Sequence, residues 1–181
     1  MNIDKSSNGC QDCSLREHDM VLYDVLGNIE KQDTDFLFIG INPGKEEVVH
    51  QRPFTGPSGR FLRQMIDEVG LLEYKIVFTN AILCSTSSER EIGNIEQCIK
   101  NCKENSGKII DYFKPKIYVP VGRNSSEYLF GIKGQISENS GLLFKENVVP
   151  LIHPASVLRA RNEKNVNRFK NSLNNLKNYI E

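Results

Sequence analysis

Apolar residues fall along this chain in two rhythms. Short unbroken runs, of which Phe36-Leu37-Phe38-Ile39 is the clearest, predict buried strands over 35–39, 75–79, 116–121 and 148–152. Between them apolar residues recur every three or four positions. Phe61, Leu62, Met65, Ile66 and Val69 predict a helix that Ser58 caps and Gly70 stops. A second helix is expected over 94–113, imperfect at Gly107, and a short one over 125–130. Val166, Phe169, Leu173, Leu176 and Ile180 form the apolar stripe of a closing helix. Residues 1–34 read as irregular apart from a short strand around 20–23, and 40–57 as a long loop. Strands alternating with helices imply an α/β fold: a three-layer α/β/α sandwich around a central four-stranded parallel sheet, in one domain over 1–181.

The first apolar run stops at Gly40-Ile41-Asn42-Pro43-Gly44, a turn built for close backbone approach to a ligand. Open α/β sheets bind ligands at the carboxyl ends of their strands. Asn42, Asn80 and His153 each fall just past such an end, and that convergence nominates them as a site. Each also has a plain structural reading. Asn42 suits a turn, Asn80 a cap, and an isolated histidine is usually structural. Phe54, in Arg52-Pro53-Phe54-Thr55-Gly56-Pro57-Ser58-Gly59, reads either as a ring for stacking or as a core aromatic pinning its loop.

Composition adds bounds. The 181 residues are 39% hydrophobic and 25% charged, without tryptophan, enough for a full core without disulfides. No window reaches the length of a membrane span, and the first residues contain no signal-like apolar stretch, so a cytoplasmic protein is expected; it is read as a monomer. Formal net charge is zero, which weighs against a nucleic-acid binder, but charge is unevenly spread. Arg159, Arg161, Lys164, Arg168 and Lys170 face only Glu163 in their stretch, forming a basic rim after His153 that reads as a phosphate-contacting edge or a solvated helix face.

There are five cysteines. Cys10-Gln11-Asp12-Cys13 is a C-x-x-C, open to zinc, redox or chance readings. Joined by Cys84 and one of Cys98 or Cys102, it makes four thiolates suited to tetrahedral zinc or an iron–sulfur cluster. Cys98 and Cys102 lie four residues apart, on one helix face, so one is a ligand and the other a buried, inert thiol.

Taken together, the C-x-x-C, Gly40 to Gly44, Pro53 to Gly59, Asn80, Cys84, Cys102 and His153-Pro154-Ala155-Ser156 resemble the uracil-DNA glycosylase superfamily, most closely its iron–sulfur-containing family 4. The resemblance implies a DNA repair enzyme that hydrolyses the N-glycosidic bond of uracil and leaves an abasic site, with uracil-containing DNA as partner. It implies a 4Fe-4S cluster on Cys10, Cys13, Cys84 and Cys102, with zinc as the alternative. Cys102 is preferred over Cys98 because the family's fourth cysteine stands where Cys102 does, measured back from Pro115. By the same resemblance Asn42 holds the attacking water and His153 hydrogen-bonds uracil O2, with assistance open to Glu46 or Glu47. Gly40, Ile41, Phe54, Asn80 and Ser58 bind the base and its phosphate. Ser156, Leu158, Arg159 and Arg161 face DNA, Leu158 as the wedge in preference to Val157.

Three departures qualify the match. Ile41 stands where the family carries an acidic residue, and Gly-Ile-Asn-Pro-Gly is similar instead to the mismatch-specific glycosylases. Ser85-Thr86-Ser87-Ser88-Glu89-Arg90 replaces a proline-bearing stretch, and Ala155 replaces a serine. A mismatch-type glycosylase and a catalytically silent nucleic-acid-binding module are therefore the alternative readings.

Overall fold

Strands buried on both faces read as near-continuous apolar runs, and three strands here do so. The computed structural model describes residues 1–27, 32–86 and 93–180. Strand β2 (Phe36–Gly40) and β3 (Ile76–Asn80) are buried throughout, and β4 (Ile117–Pro120) nearly so. They run parallel, β3 and β4 flanking β2, with Gly40 level with Asn80. Alternation divides the core. Phe36, Phe38, Phe78 and Val119 face α3 (Pro57–Glu68), α7 (Pro154–Arg159) and α8 (Glu163–Asn174) through Phe61, Leu62, Val157 and Phe169. Leu37, Ile39 and Val77 face the other way, onto Ile109 and Phe113 of α4 (Ile95–Phe113). These are the three expected layers.

The sheet is mixed rather than parallel. Its order is β1-β3-β2-β4, and β1 (Tyr23–Leu26) pairs antiparallel with β3, so that Tyr23 stands opposite Thr79. The expected fourth parallel strand, 148–152, does run beside β4, but as isolated bridges at Val148 and Leu151. Pro120 has no N–H to donate to Val149 O, so no continuous ladder forms. The segment is held instead by Val149 N–H to Tyr118 O and Gly122 N–H to Leu151 O.

Other boundaries also move. The loop expected over 40–57 contains helix α2 (Lys45–His50), and α3 starts at Pro57 with Gly56, not Ser58, as its cap. Helix α4 runs unbroken through Gly107, and Asn94 caps it by accepting from Gln97 N–H. Short helices α1 (Asn8–Gln11), α5 (Arg123–Phe130) and α6 (Ile136–Asn139) complete the described elements used here. Ser87, Ser88, Glu89 and Arg90 lie outside the described residues. Among those described, no helix is long and apolar enough to cross a membrane.

Candidate active site

Parallel pairing with aligned ends brings the carboxyl termini of β2, β3, β4 and the 148–151 segment to one edge, and an open cleft of about 950 Å³ lies there. Gly40, Ile41, Asn42, Phe54, Ser58 and Asn80 line it, joined by His153, Ser156 and Arg159. Leu158 and Arg161 do not. Leu158 is half-buried against the main core, and the Arg161 guanidinium stands 5.9 Å from the Phe61 ring centroid. The basic rim is largely engaged elsewhere. Arg168 donates to Ser137 O at 2.5 Å, and Lys170 pairs with Glu68 at 2.5 Å.

Gly40 is required where β2 ends. A Cβ there would stand 2.3 Å from Asn80 Oδ1 and 3.0 Å from Phe54 Cζ. The strand thus gives up a side chain so that two others can meet over its backbone. Asn80 is buried, and its carboxamide has no hydrogen-bond partner among the described residues. A buried, uncommitted carboxamide in a cleft is suited to reading the edge of a planar polar ligand.

Phe54 sits with φ at 55°, a left-handed conformation that costs a bulky residue energy. Its surroundings hold it there. Arg63 donates to Phe54 O at 2.9 Å and Pro53 O at 2.9 Å, while Gly59 leaves room for the Phe54 backbone, which a Cβ would meet at 2.2 Å. Arg63 is itself anchored to Asp24 of β1 at 2.6 Å and lies 4.2 Å from the Phe78 ring centroid. Arg52 makes a two-pronged bond to the same Asp24 carboxylate. The edge strand therefore braces the Phe54 loop from behind.

Glu47 performs the same service from the front. Its carboxylate accepts from Gly44 N–H at 3.1 Å, Thr55 N–H at 3.0 Å and Gly56 N–H at 2.6 Å. Those bonds join the turn after β2 to the turn before α3. Glu46 pairs with Arg60 at 2.5 Å. Glu47, which lines the cleft, thus has a scaffolding role, and Glu46 does not line it.

Asn42 is half-buried, and its orientation is fixed. Its Nδ2 donates to Pro43 O at 3.1 Å and Thr86 Oγ1 at 2.7 Å. Both amide hydrogens are spent, which leaves Oδ1 as an acceptor. His153 caps α7, its Nδ1 accepting from Ala155 N–H at 3.2 Å. An accepting Nδ1 places the ring hydrogen on Nε2. Burial, then the positive charge of Arg159, hold the imidazole pKa below its ordinary 6.5, so the ring is neutral near pH 7. Gly122, with φ at 90°, leaves room for that ring: a Cβ would stand 3.1 Å from His153 Cδ2.

The cysteines collect behind the cleft. Helix α1 packs on α4 so closely that a Cβ on Gly9 would lie 2.1 Å from Asn101 O, which brings Cys10 and Cys13 toward Cys98 and Cys102. Cys84 arrives on the loop after β3, packed with Leu15, Ile41, Ile82 and Cys98. Burial pushes the Cys84 thiol up to about 11 and the Cys102 thiol to about 12. Asn105 Nδ2 donates to Cys10 Sγ at 3.5 Å, and Leu83 N–H to Cys102 Sγ at 3.4 Å. Among the described residues no three His, Cys, Asp or Glu side chains are closed around a common point as on an ion. The donor chemistry nonetheless fits a thiophilic metal group: five free cysteines converge from α1, α4 and the Cys84 loop, two with N–H···S bonds that favour thiolate.

Several site residues were missing from the sequence reading. Thr86, Arg63 and Asp24 act across long stretches of chain and carry no local signal. The far wall, with Arg123, Asn124 and Gln135 to Ser137, comes from the starts of α5 and α6. Glu47 was named for the chemistry rather than as a brace, although that role had a legible cue: a glutamate three residues after a helix cap is the capping-box spacing.

Comparison with known proteins sets this geometry in a family. A model of the uracil DNA glycosylase superfamily matches residues 26–177. A type-4 uracil-DNA glycosylase of Sulfurisphaera tokodaii is 34% identical over 136 residues, 68% of this chain and 61% of that protein, so the chain spans about three-fifths of that relative. Type-4 uracil-DNA glycosylases of Archaeoglobus fulgidus and Saccharolobus solfataricus are 24% and 29% identical, each over 82% of this chain and over 78% and 72% of their own lengths. The cleft at the sheet's carboxyl edge, its asparagines and its histidine are thus carried by a chain that belongs to the uracil DNA glycosylase superfamily.

Proposed function

We propose that this chain is a uracil-DNA glycosylase that hydrolyses the N-glycosidic bond of uracil in DNA and leaves an abasic site. The observation that carries the reading is the meeting of Asn42, Asn80 and His153 in one cleft beside Phe54, in a chain whose family model spans that whole region. The target nucleotide leaves the base stack to enter the cleft. Phe54 stacks on the base, and Asn80 pairs with its edge, accepting from N3–H and donating to O4. Cytosine offers the reverse pattern and leaves buried groups unpaired. Water adds to C1′ as the C1′–N1 bond breaks, and the bonding pair passes to the departing base. Asn42 Oδ1 accepts one hydrogen bond from that water and aims its lone pair; the proton goes to solvent, since a neutral amide is no base. His153 Nε2–H donates to O2, where negative charge gathers, a preorganised contact that needs no proton transfer. Ile41 offers no carboxylate to the developing sugar cation, so turnover is slower than with an acid there. Ser58 at the start of α3 and Ser156 and Arg159 at the rim contact phosphate.

Cys10, Cys13, Cys84 and Cys102 would hold the 4Fe-4S cluster, with Cys98 as the spare thiol and zinc as the alternative metal. Such a group would contribute structure, joining α1 to α4 and the Cys84 loop. The test is excision from a labelled single-stranded oligonucleotide with one uracil, alkali then cleaving at abasic sites. Excision that disappears in Asn42→Ala supports the reading; a fully loaded protein that excises nothing from single strands, U·G or T·G pairs overturns it in favour of a binding module. Excision confined to mismatched pairs would move the chain to the mismatch-specific class.

A further inference from the structure

We propose that Thr86 is the positioning residue that holds the Asn42 carboxamide against rotation, in the sense that Pro43 O selects. The proposal rests on Asn42 aligning the attacking water. A carboxamide is nearly symmetrical in shape, and turned over it would present an NH2 group to water where an acceptor is needed. One contact sets the sense and a second holds it. Pro43 O can only accept, so the Asn42 atom 3.1 Å from it must be nitrogen. Thr86 Oγ1, at 2.7 Å, takes the second amide hydrogen and is the shorter contact. Pro43 is the next residue in the chain and holds the amide only through a short, local contact. Thr86 reaches in from a different loop and supplies the second point that stops rotation.

The Thr86 side is itself well held. The residue is 5% exposed, and its N–H donates to Pro43 O at 3.2 Å, so its backbone is tied to the same turn. The loop runs alongside the β2 turn through Ala81 N–H to Gly40 O and Ile82 N–H to Ile41 O. It is fixed on the far side by Ser85 N–H to Asp19 O, and His18 Nδ1 lies 2.7 Å from Ser85 O. Thr86 stands two residues beyond Cys84.

The test combines kinetics with a measurement on the amide itself. Thr86→Val keeps the shape and removes the acceptor. It should lower kcat about tenfold, the scale of one lost orienting hydrogen bond, and leave KM for uracil-containing DNA within twofold. Thr86→Ser, which keeps the hydroxyl, should restore kcat to within about threefold of the parent. In ¹⁵N-labelled parent protein the Asn42 side-chain amide should give two widely separated proton signals with slow rotation, collapsing toward free-amide behaviour in Thr86→Val. Unchanged kcat in Thr86→Val, equal impairment in Thr86→Ser, or an Asn42 amide indifferent to Thr86 overturns the proposal. Should Thr86→Val fail to fold, Thr86→Ala and the parent's amide signals decide alone. Should the parent excise nothing, the glycosylase reading falls while the amide spectra still decide the orientation.

Discussion

Glu47 carries three backbone N–H groups on two oxygens, and replacing it should be costly out of proportion to its position beside solvent. Oε1 serves Thr55 and Gly56, and Oε2 serves Gly44. In Glu47→Gln the amide oxygen can keep the Oε1 pair, but the new NH2 then confronts Gly44 N–H, donor to donor. One bond is lost and two lose the strengthening of a negative acceptor, together about 2 kcal/mol. Glu47→Ala strands all three donors. Gly56 is buried while Gly44 and Thr55 are half-buried, so water relieves part of the loss and about 3 kcal/mol remains. For a chain of this size about 2 kcal/mol lowers Tm by roughly 4–8 °C. Thermal unfolding followed by circular dichroism measures both variants against the parent. A Glu47→Gln Tm within 1 °C of the parent would refute the reasoning, as would excision lost without any loss of stability, which would restore Glu47 as a chemical participant.

Two further predictions follow from the site. The His153 pKa lies below its unfolded 6.5, so the unfolded chain takes up that proton first. The stability contributed by the neutral ring is whole above pH 6.5 and falls as pH drops through the folded value. Urea midpoints at descending pH should show this loss, and kcat should fall over the same acid range as Nδ1 stops accepting from Ala155 N–H; a stability curve without that acid slope in the parent, or with the same slope in His153→Gln, refutes the assignment. Cys102→Ala should abolish iron incorporation and visible thiolate-to-iron absorbance while Cys98→Ala keeps both, measured by metal analysis on anaerobically purified protein; the reverse order would exchange the two roles.

Much of the fold was legible because burial on both sides leaves a local mark. β2 is an unbroken apolar run, β3 is apolar over Ile76, Val77 and Phe78, and α3 and α8 repeat at helical spacing. Where the mark was misleading, a proline explains it: 148–152 is as apolar as a strand, but Pro120 beside it lacks the donor that a continuous ladder needs. β1 escaped full recognition because an edge strand of mixed polarity, carrying Asp24 for two arginines, has no hydrophobic signature. Helix α2 was hidden by the glycines and prolines around it. Within the site, Asn42, Asn80 and His153 were visible as strand-end residues. The groups that orient and brace them were not, because Thr86 to Asn42 and Arg63 to Asp24 are contacts between distant positions, and pattern reports only near neighbours.

The antiparallel pairing of β1 with β3 also sets an order of assembly. Tyr23 finds Thr79, Cys10 nears Cys102, and Asp4 O receives its bond from Asn105 only when the later half of the chain is present. On the ribosome the early segment therefore emerges long before its partners and waits undocked, with Cys10 and Cys13 uncovered. The C-x-x-C is thus made before Cys84, Cys98 and Cys102 and sheltered only once they arrive, which leaves it open to oxidants and stray metals during synthesis.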